Sequence, residues 1–326
     1  MKILIIGLGS MGKRRIRNLQ YFNIKQIYGF DINPSNVREA MVKYKIKILN
    51  SLDGLFAYDF DLVLICTPPD HHLEYVKICV KNKISFFTEL NLLTQDTKKI
   101  SDLIKKNKIK GYPSNTEFFD QNIISLKKLI HRNFKGYFLF HLGQNIKDWH
   151  PWQPAGEHFI FYKNTNGLRE ILRIELPWLI KLFGPVVKFK VDQNAFFTTK
   201  YQVNDFICLS LEFANGVHGV LVFDLISSKV IKEFRLISDK ENIIWNEIKN
   251  SIIIDQANKQ KKINLSQGSI YPGYKFREDG HVSEIKRLLA DVRKNKRPEY
   301  DFEDELQLLK LIDRIESLTS DKFKKK

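Results

Sequence analysis

The chain has 326 residues, and its 53 Lys and Arg residues outnumber its 37 Asp and Glu residues by 16. This length suits two domains, and a content of 43% hydrophobic and 12% aromatic residues supports a packed core, which excludes a disordered chain. No apolar run approaches the roughly 20 residues of a membrane helix, and three cysteines without a CxxC pair exclude a disulfide framework.

Strand and helix patterns alternate through the first third of the chain. Short apolar runs predict strands at 2–6, 27–31, 46–49, 61–66, 84–88 and 109–112. Amphipathic runs predict helices at 12–19, 70–81 and 96–106. Buried strands that alternate with helices are typical of a parallel sheet covered on both faces.

The pattern changes after about residue 120, where strands follow one another with short turns. Strands are predicted at 137–142, 187–191, 206–213, 219–223, 233–237, 242–245 and 251–254. A helix is predicted from the break at 164–167 to Leu182, where Gly184-Pro185 stops it, and two more at 282–293 and 303–318. This part of the chain therefore predicts a largely antiparallel sheet with helices.

The charge distribution bears on the partners of the protein. The basic residues are dispersed apart from Lys13-Arg14-Arg15 and Lys324-Lys325-Lys326, and no nucleic-acid-binding module accompanies them. We therefore predict no nucleic-acid and no membrane partner, although a basic chain attracts small anions such as nucleotides. Because the sequence opens on a strand-like run without a leader pattern, we expect a cytoplasmic protein, and we predict no metal site.

A glycine-rich turn follows the first predicted strand and opens a predicted helix. The hexapeptide Gly7-Leu8-Gly9-Ser10-Met11-Gly12 has the GxGxxG spacing of a dinucleotide-binding fingerprint in the context that the fingerprint requires. Gly7 permits the tight turn, Gly9 lets the backbone approach a pyrophosphate, and Gly12 allows close helix–strand packing. Asp31 ends the second strand 19 residues after Gly12, where a carboxylate binds ribose hydroxyls and repels a 2′-phosphate. The predicted cofactor is therefore NAD rather than NADP, with Ser10 and Met11 as further cofactor-binding candidates.

The segment after the fourth predicted strand adds further candidates. Thr67 and Pro68 follow the carboxyl end of that strand, which in such sheets faces the cofactor crevice. His72 either touches the cofactor or packs on the helix that follows.

With Glu89 after the fifth strand, these residues resemble the glucose–fructose oxidoreductase, inositol dehydrogenase and MocA (Gfo/Idh/MocA) family over essentially the whole chain. The resemblance implies the α/β class, with a Rossmann doubly wound parallel sheet at 1–118. It implies an α+β domain at 119–326 for substrate binding and oligomerisation, with an open, mainly antiparallel sheet. In this arrangement the C-terminal helices of the chain can pack against the first domain. It also implies Glu89 as a cofactor-site residue, hydride transfer between a nicotinamide and a sugar or nucleotide sugar, and a homodimer or homotetramer.

The chain departs from the family pattern at several positions, and two of them lack a proton-transfer group. The Glu-Lys-Pro motif of the family falls on Glu89-Leu90-Asn91, so that Leu90 stands where the family has lysine. The aspartate and histidine of its second-domain helix fall on Glu170 and Ile174, and a family arginine falls on Glu117. Since leucine and isoleucine cannot exchange protons, another group is needed for acid–base chemistry.

The segment Asp148-Trp149-His150-Pro151-Trp152, together with the later Arg-Glu-Ile-Leu stretch at 169–172, resembles a family subgroup that accompanies surface-glycan genes. His150 is a candidate general acid or base because histidine titrates near neutrality, and Glu170 and Lys163 are further catalytic candidates. A hydrogen-bonded loop histidine is the alternative for His150.

Two functions fit these observations. The first is an NAD-dependent oxidoreductase for a sugar or nucleotide sugar in surface-glycan biosynthesis. The second is a non-catalytic dinucleotide-binding paralogue with a regulatory or structural role, which the residues at positions 90 and 174 favour.

Overall fold

The computed structural model describes residues 1–131, 134–149, 159–265 and 278–318, without the side chains of Phe56 and Trp149. The chain divides into two compact units. The first comprises Met1–Thr116 and Gly280–Lys310, and the second comprises the described parts of Glu117–Asp279 and Leu311–Lys326. Residues 280–310, which the sequence prediction counted within 119–326, thus cluster with the first unit.

The first unit contains one parallel sheet. Its strands are β1 (Lys2–Ile6), β2 (Gln26–Phe30), β3 (Lys47–Ile48), β4 (Leu62–Ile65), β5 (Phe86–Thr88) and β6 (Gly111–Pro113). Its first four helices are α1 (Ser10–Tyr21), α2 (Pro34–Tyr44), α3 (His72–Lys81) and α4 (Thr94–Asn107). The spatial order β3-β2-β1-β4-β5-β6 reverses direction between β1 and β4, which is the switch point of a doubly wound fold. Ile3 and Ile5 of β1 belong to one core cluster, and Leu4 and Ile6 belong to another. Both faces of the sheet are therefore covered, and the predicted Rossmann-type sheet is confirmed.

The second unit contains a larger sheet that is mostly antiparallel. Its strands are β7 (Tyr137–Gly143), β8 (Val186–Asn194), β9 (Phe206–Phe213), β10 (His218–Asp224), β11 (Ile231–Ile237), β12 (Asn242–Asn246), β13 (Ser251–Gln256) and β14 (Lys259–Asn264). The remaining helices of the described chain are α5 (Gln121–Leu129), α6 (Ile146–Trp149), α7 (Gly167–Phe183), α8 (Asp279–Arg293) and α9 (Phe302–Ser317). The spatial order is β14-β13-β12-β11-β7-β10-β9-β8, in which β7 and β10 pair in parallel and the other neighbours pair antiparallel. This confirms the predicted sheet type.

One face of this sheet is packed against α7. Phe138 and Phe140 of β7 are buried, while the alternate residue Leu139 is 40% exposed. The ring of Phe138 stacks on Phe183 at 5.1 Å, and the ring of Phe140 meets Trp178 edge-on at 5.7 Å. The side chains that α7 turns toward the sheet thus build the aromatic core of the unit.

The sequence prediction missed α2, α5, α6 and β14, and two of these, α2 and β14, have weak patterns. Only Ala40 and Tyr44 of α2 are buried, so the helix has almost no apolar stripe and is defined instead by its ends. The side chain of Asn33 caps its first turn, and Lys45 ends it in a left-handed conformation. The edge strand β14 is lysine-rich and largely exposed, a composition that protects sheet edges from further pairing. No helix in the described chain is long and apolar enough to cross a membrane.

Candidate functional site

The turn between β1 and α1 has a backbone that requires glycine at two positions. Gly7 has a φ of +90°, and a Cβ there would lie 2.8 Å from the carbonyl group of Cys66. A Cβ on Gly12 would lie 1.9 Å from the carbonyl oxygen of Gly7, so turn and helix touch without room for a side chain. Gly9 differs, because nothing lies within 4 Å of the place that its Cβ would take. That open side of the turn leaves space for a pyrophosphate to reach the backbone.

The N-terminus of α1 has the character of an anion site. Gly9 is its N-cap and has no side chain to accept from the N–H groups of the first turn. That turn, which the structure describes completely, contains no acidic residue. Ser10 and Met11 lie in it, the first exposed and the second half-buried. The free N–H groups and the helix dipole both favour a phosphate here.

Asp31 lies directly beside the glycine turn. Its Oδ2 accepts from the backbone N–H of Leu8 at 2.6 Å and from Asn36 Nδ2 at 3.1 Å. Its Oδ1 accepts from the backbone N–H of Asn33 at 2.7 Å. A carboxylate offers about four acceptor positions, so one remains for a ribose hydroxyl. The bonds fix the carboxylate at the end of β2, as the fingerprint predicts.

His72 is a buried residue that organises the chain after β4 and β5. Its side-chain nitrogens lie 3.0 Å from the Thr67 carbonyl oxygen and 3.0 Å from the Asn91 side chain, which bonds in turn to Thr88 Oγ1 at 2.8 Å. Burial lowers the pKa of His72, so the ring is neutral near pH 7. Nδ1 faces Asn91 Oδ1 and Nε2 faces the Thr67 carbonyl oxygen, and because a neutral ring carries a single N–H it donates to one of these two oxygens. His72 thus links the segments after β4 and β5, and its predicted contact with a cofactor stays a prediction.

The carboxylate of Glu89 is engaged by a buried arginine. Arg15 of α1 has no solvent exposure, and its Nε and Nη2 lie 2.6 and 3.2 Å from the two Glu89 oxygens. Glu89 is itself 8% exposed, and Leu90 beside it is half-buried. A cofactor that contacts Glu89, as the sequence predicts, would share this carboxylate with Arg15.

The residues around the glycine turn fit a dinucleotide. The turn admits no Cβ at two positions and offers free N–H groups at the start of α1. Pro68 is exposed beside it. Thr67 Oγ1 is buried at the end of β4 and has no hydrogen-bond partner among the described residues, which leaves a polar atom for a bound molecule. The described part of the chain has no cluster of His, Cys, Asp or Glu that would hold a metal ion.

In the second unit, Glu170 is the most unusual of the predicted catalytic residues. It lies in the first turn of α7 and is 8% exposed. Burial raises its pKa to about 8, and its Oε2 has no hydrogen-bond partner in the described chain. A carboxyl group that exchanges a proton near neutral pH suits general acid–base catalysis.

The other two predicted catalytic residues are not brought to Glu170 by any described contact. Lys163 is exposed in the loop before α7. His150 lies outside the described residues. Arg169, next to Glu170, is buried in an ion pair with Asp313 at 2.8 Å, and it also contacts Glu316.

A partly buried charge cluster around Lys232 was missed by the sequence prediction. Lys232 Nζ lies 2.9 Å from Glu175 Oε1 and 3.5 Å from Glu117 Oε2, and the second Glu175 oxygen accepts from Trp178 Nε1 at 2.7 Å. Burial alone would lower the pKa of Lys232, but the neighbouring carboxylates outweigh it and raise the pKa. The sequence signal was the alternation in β11, where Lys232 shares its face with the buried residues Phe234 and Leu236.

Residues 1–112 match the model of an oxidoreductase family with an NAD-binding Rossmann fold, the Gfo/Idh/MocA family. The match covers the first third of the chain, which includes the glycine turn and Asp31. Over 135 residues the chain is 27% identical to myo-inositol 2-dehydrogenase from Thermotoga maritima. That alignment spans 40% of this chain and 40% of the curated relative.

Solved structures resemble the chain over nearly its whole length. UDP-N-acetylglucosamine 3-dehydrogenase GnnA from Acidithiobacillus ferrooxidans has a TM-score of 0.77 at 15% identity, with 97% of this chain and 96% of that chain covered. An oxidoreductase from Agrobacterium radiobacter in complex with NAD+, L-tartaric acid and magnesium has a TM-score of 0.79 at 14% identity, covering 96% and 94% of the two chains. At these identities the likeness shows the fold alone.

The family match bears on which cofactor the chain binds. Residues 1–112 match a family model whose members have an NAD-binding Rossmann fold, which confirms the predicted cofactor class. The roles of individual residues, including Glu89 and Glu170, stay predictions.

Proposed function

We propose that this protein is an NAD-dependent oxidoreductase that transfers a hydride between the nicotinamide and a hydroxyl-bearing carbon of a sugar or nucleotide sugar. The observation that carries the catalytic part of the proposal is the buried carboxyl group of Glu170. Its Oε2 has no partner among the described residues, and its pKa of about 8 suits proton exchange near neutrality. Keeping such a group buried costs stability, and a reaction that uses its proton accounts for its presence.

The first unit supplies cofactor binding. The N–H groups at the start of α1 hold the pyrophosphate, and Gly9 leaves the approach open. Asp31 accepts a ribose hydroxyl on its remaining acceptor position and repels a 2′-phosphate, which favours NAD over NADP. Thr67 Oγ1 is a further polar contact from the end of β4.

The proton balance of the reaction assigns a role to Glu170. The bound nicotinamide supplies the acceptor for the hydride that leaves the substrate carbon. Glu170 Oε2, in its ionised form, takes the hydroxyl proton as the carbon–oxygen double bond forms. In the reverse direction the protonated Glu170 returns that proton to the oxygen. This role replaces the proton transfer that Leu90 and Ile174 cannot perform.

The substrate class rests on the relatives and on the sequence. The solved relative GnnA is named as a dehydrogenase of UDP-N-acetylglucosamine, and the curated relative is named as one of myo-inositol. The segment 148–152 and the stretch 169–172 support a place in surface-glycan biosynthesis, which makes a nucleotide sugar the leading substrate. We extend the proposal to a cytoplasmic homodimer or homotetramer.

A second candidate function is a non-catalytic dinucleotide-binding paralogue with a regulatory or structural role. It is favoured by the apolar residues Leu90 and Ile174 at positions where the family has proton-transfer groups. It predicts that NADH binds but that no sugar is turned over.

The experiment begins with fluorescence titrations of the full chain with NADH and NADPH. We expect tighter binding of NADH because Asp31 repels the extra phosphate. Turnover of UDP-sugars and of myo-inositol is then followed by nicotinamide absorbance. Glu170→Gln should lower kcat roughly 10²–10⁴-fold while leaving the NADH affinity unchanged. Glu303→Gln is the matched control with normal turnover, because Glu303 pairs with Lys105 and has no predicted role in binding or catalysis.

Two results would contradict the proposal. If neither dinucleotide binds, both candidate functions fail. If NADH binds and Glu170→Gln turns over sugars as fast as the wild type, Glu170 is not the proton-transfer residue. NADH binding without turnover of any tested substrate class favours the second candidate.

A further inference from the structure

Asn115 lies just beyond the end of β6 and has an amide group without a partner. The residue is 4% exposed, and neither Oδ1 nor Nδ2 has a hydrogen-bond partner among the described residues. Buried amides in proteins are nearly always hydrogen-bonded, because an unmade bond leaves the cost of desolvation uncompensated. Among the described residues, the polar atoms of the Asn115 side chain therefore make no hydrogen bond that would stabilise the fold.

The backbone of Asn115 is nevertheless held firmly. Its N–H donates to Glu284 Oε1 at 2.7 Å, and the Ser114 hydroxyl donates to the same oxygen at 3.0 Å. Glu284 Oε2 lies 2.8 Å from Arg15 Nη2, and Arg15 is the buried arginine that also pairs with Glu89. An ion network inside the first unit thus fixes the backbone of Asn115, while its side-chain amide has no partner in the described part of the chain.

The strand order tells which half of a dinucleotide meets this position. In a doubly wound sheet the dinucleotide lies across the carboxyl ends of the strands at the switch point, one mononucleotide on each side. Asp31 at the end of β2 takes the adenosine side. The strands β4, β5 and β6 lie on the other side of β1, so the residues after them face the nicotinamide half. Thr67, with its unpartnered hydroxyl, lies on this same side.

We propose that Asn115 binds the carboxamide group of the nicotinamide through two reciprocal hydrogen bonds. Nδ2–H donates to the carboxamide oxygen, and Oδ1 accepts from the carboxamide NH₂. The side-chain amide and the carboxamide have matching donors and acceptors, so one pair satisfies both. Binding the carboxamide also fixes which face of the ring is presented for hydride transfer. This inference rests on the cofactor of the proposed function and not on its sugar substrate.

The test compares three molecules on the full chain: NAD, its 3-acetylpyridine analogue and ADP-ribose. The analogue keeps the carbonyl oxygen but lacks the NH₂ group, and ADP-ribose lacks the ring. We expect the wild type to bind NAD more tightly than the analogue. Asn115→Leu should weaken NAD roughly 10- to 100-fold, abolish the difference between NAD and the analogue, and leave ADP-ribose unchanged.

The matched control is Asn18→Leu. Asn18 of α1 is also fully buried with both amide atoms unpartnered among the described residues, but it lies about 13 Å along the helix from its N-terminus. We expect this variant to bind all three molecules like the wild type. Both leucine variants should keep or raise the Tm of the cofactor-free protein, since each removes an unpaired buried amide. Asn115→Ala gives the same comparison if leucine does not fit.

The possible results distinguish failure of this inference from failure of the proposed function. The proposal is overturned if Asn115→Leu keeps the wild-type preference for NAD over the analogue, or if it weakens ADP-ribose as much as NAD. Wild-type protein that binds no dinucleotide overturns this inference together with the proposed function. Loss of the analogue preference in a protein that turns over no sugar supports Asn115 and overturns the proposed function alone.

Discussion

Replacement of Glu170 by glutamine should change how the stability of the protein depends on pH. Burial raises the pKa of Glu170 to about 8 in the folded chain, above its ordinary value of 4.5. Between these two values the folded protein keeps a proton that the unfolded chain has released. The free energy of unfolding therefore falls as the pH rises through this range, and Glu170→Gln removes that contribution because glutamine does not ionise.

The magnitude follows from the two pKa values. Integrating the proton difference from about pH 5.5 to about pH 7.5 gives a loss of about 2.5 kcal/mol for the wild type from Glu170 alone. Every other titrating group contributes equally to both proteins. The stability of Glu170→Gln relative to the wild type should therefore increase by about 2.5 kcal/mol between these pH values.

The assay is urea unfolding followed by circular dichroism at the two pH values, without cofactor. Glu303→Gln on α9 is the control, because Lys105 lowers the pKa of Glu303 and no proton is exchanged in this range. The free energy of unfolding is compared between Glu170→Gln and the wild type at each pH. If the difference is the same at both pH values, the reasoning is refuted. Glu170 would then be ionised in the folded protein near neutrality.

The remaining predictions concern the glycine turn and the Lys232 cluster. Gly12→Ala places a Cβ 1.9 Å from the Gly7 carbonyl oxygen, so we expect a lower Tm and at least a roughly tenfold loss of NADH affinity in a fluorescence titration. Gly9→Ala meets no protein atom within 4 Å and should lose affinity at an unchanged Tm; equal Tm losses in the two variants would contradict the assignment. Lys232→Met removes the cation beside the buried Glu175 carboxylate, and urea unfolding should show a destabilisation of about 3 kcal/mol. A change below about 1 kcal/mol would mean that the pair contributes little.

The glycine turn was predictable because its requirements are local. Gly7 and Gly12 are forced by contacts between residues that lie within one strand–turn–helix unit, and the same unit recurs wherever a dinucleotide binds. The helix end at Gly184 was predictable for the same reason, since its φ of +90° suits a glycine after the last turn of α7. Local signals of this kind can be recognised in a sequence without knowledge of the tertiary structure.

The partners of buried charges were not predictable, because they depend on the strand register and on helix packing. Lys232 meets Glu175 only because β11 turns this residue toward the face that α7 covers. Arg15 pairs with Glu89 and Glu284, although these three residues lie in distant parts of the sequence. The sequence assigned Glu89 to the cofactor, yet its position beside Arg15 depends on how α1 packs against the end of β5. A spacing pattern contains none of this information.

The choice of Glu170 as the proton-transfer residue depends on comparison with Glu117, another acid of the second unit whose pKa is raised to about 8. Burial raises the pKa of Glu117 as well, but Lys232 lies 3.5 Å away and opposes the increase. The proton of Glu117 is thus coupled to a fixed cation and to the Glu175 carboxylate beside it. Glu170 has no described ion pair, and burial alone sets its pKa. A general acid–base group must change its protonation state during each turnover, and that change is easiest where no permanent partner depends on it. The unpartnered oxygen therefore makes Glu170, rather than the charge cluster, the group suited to exchange a substrate proton.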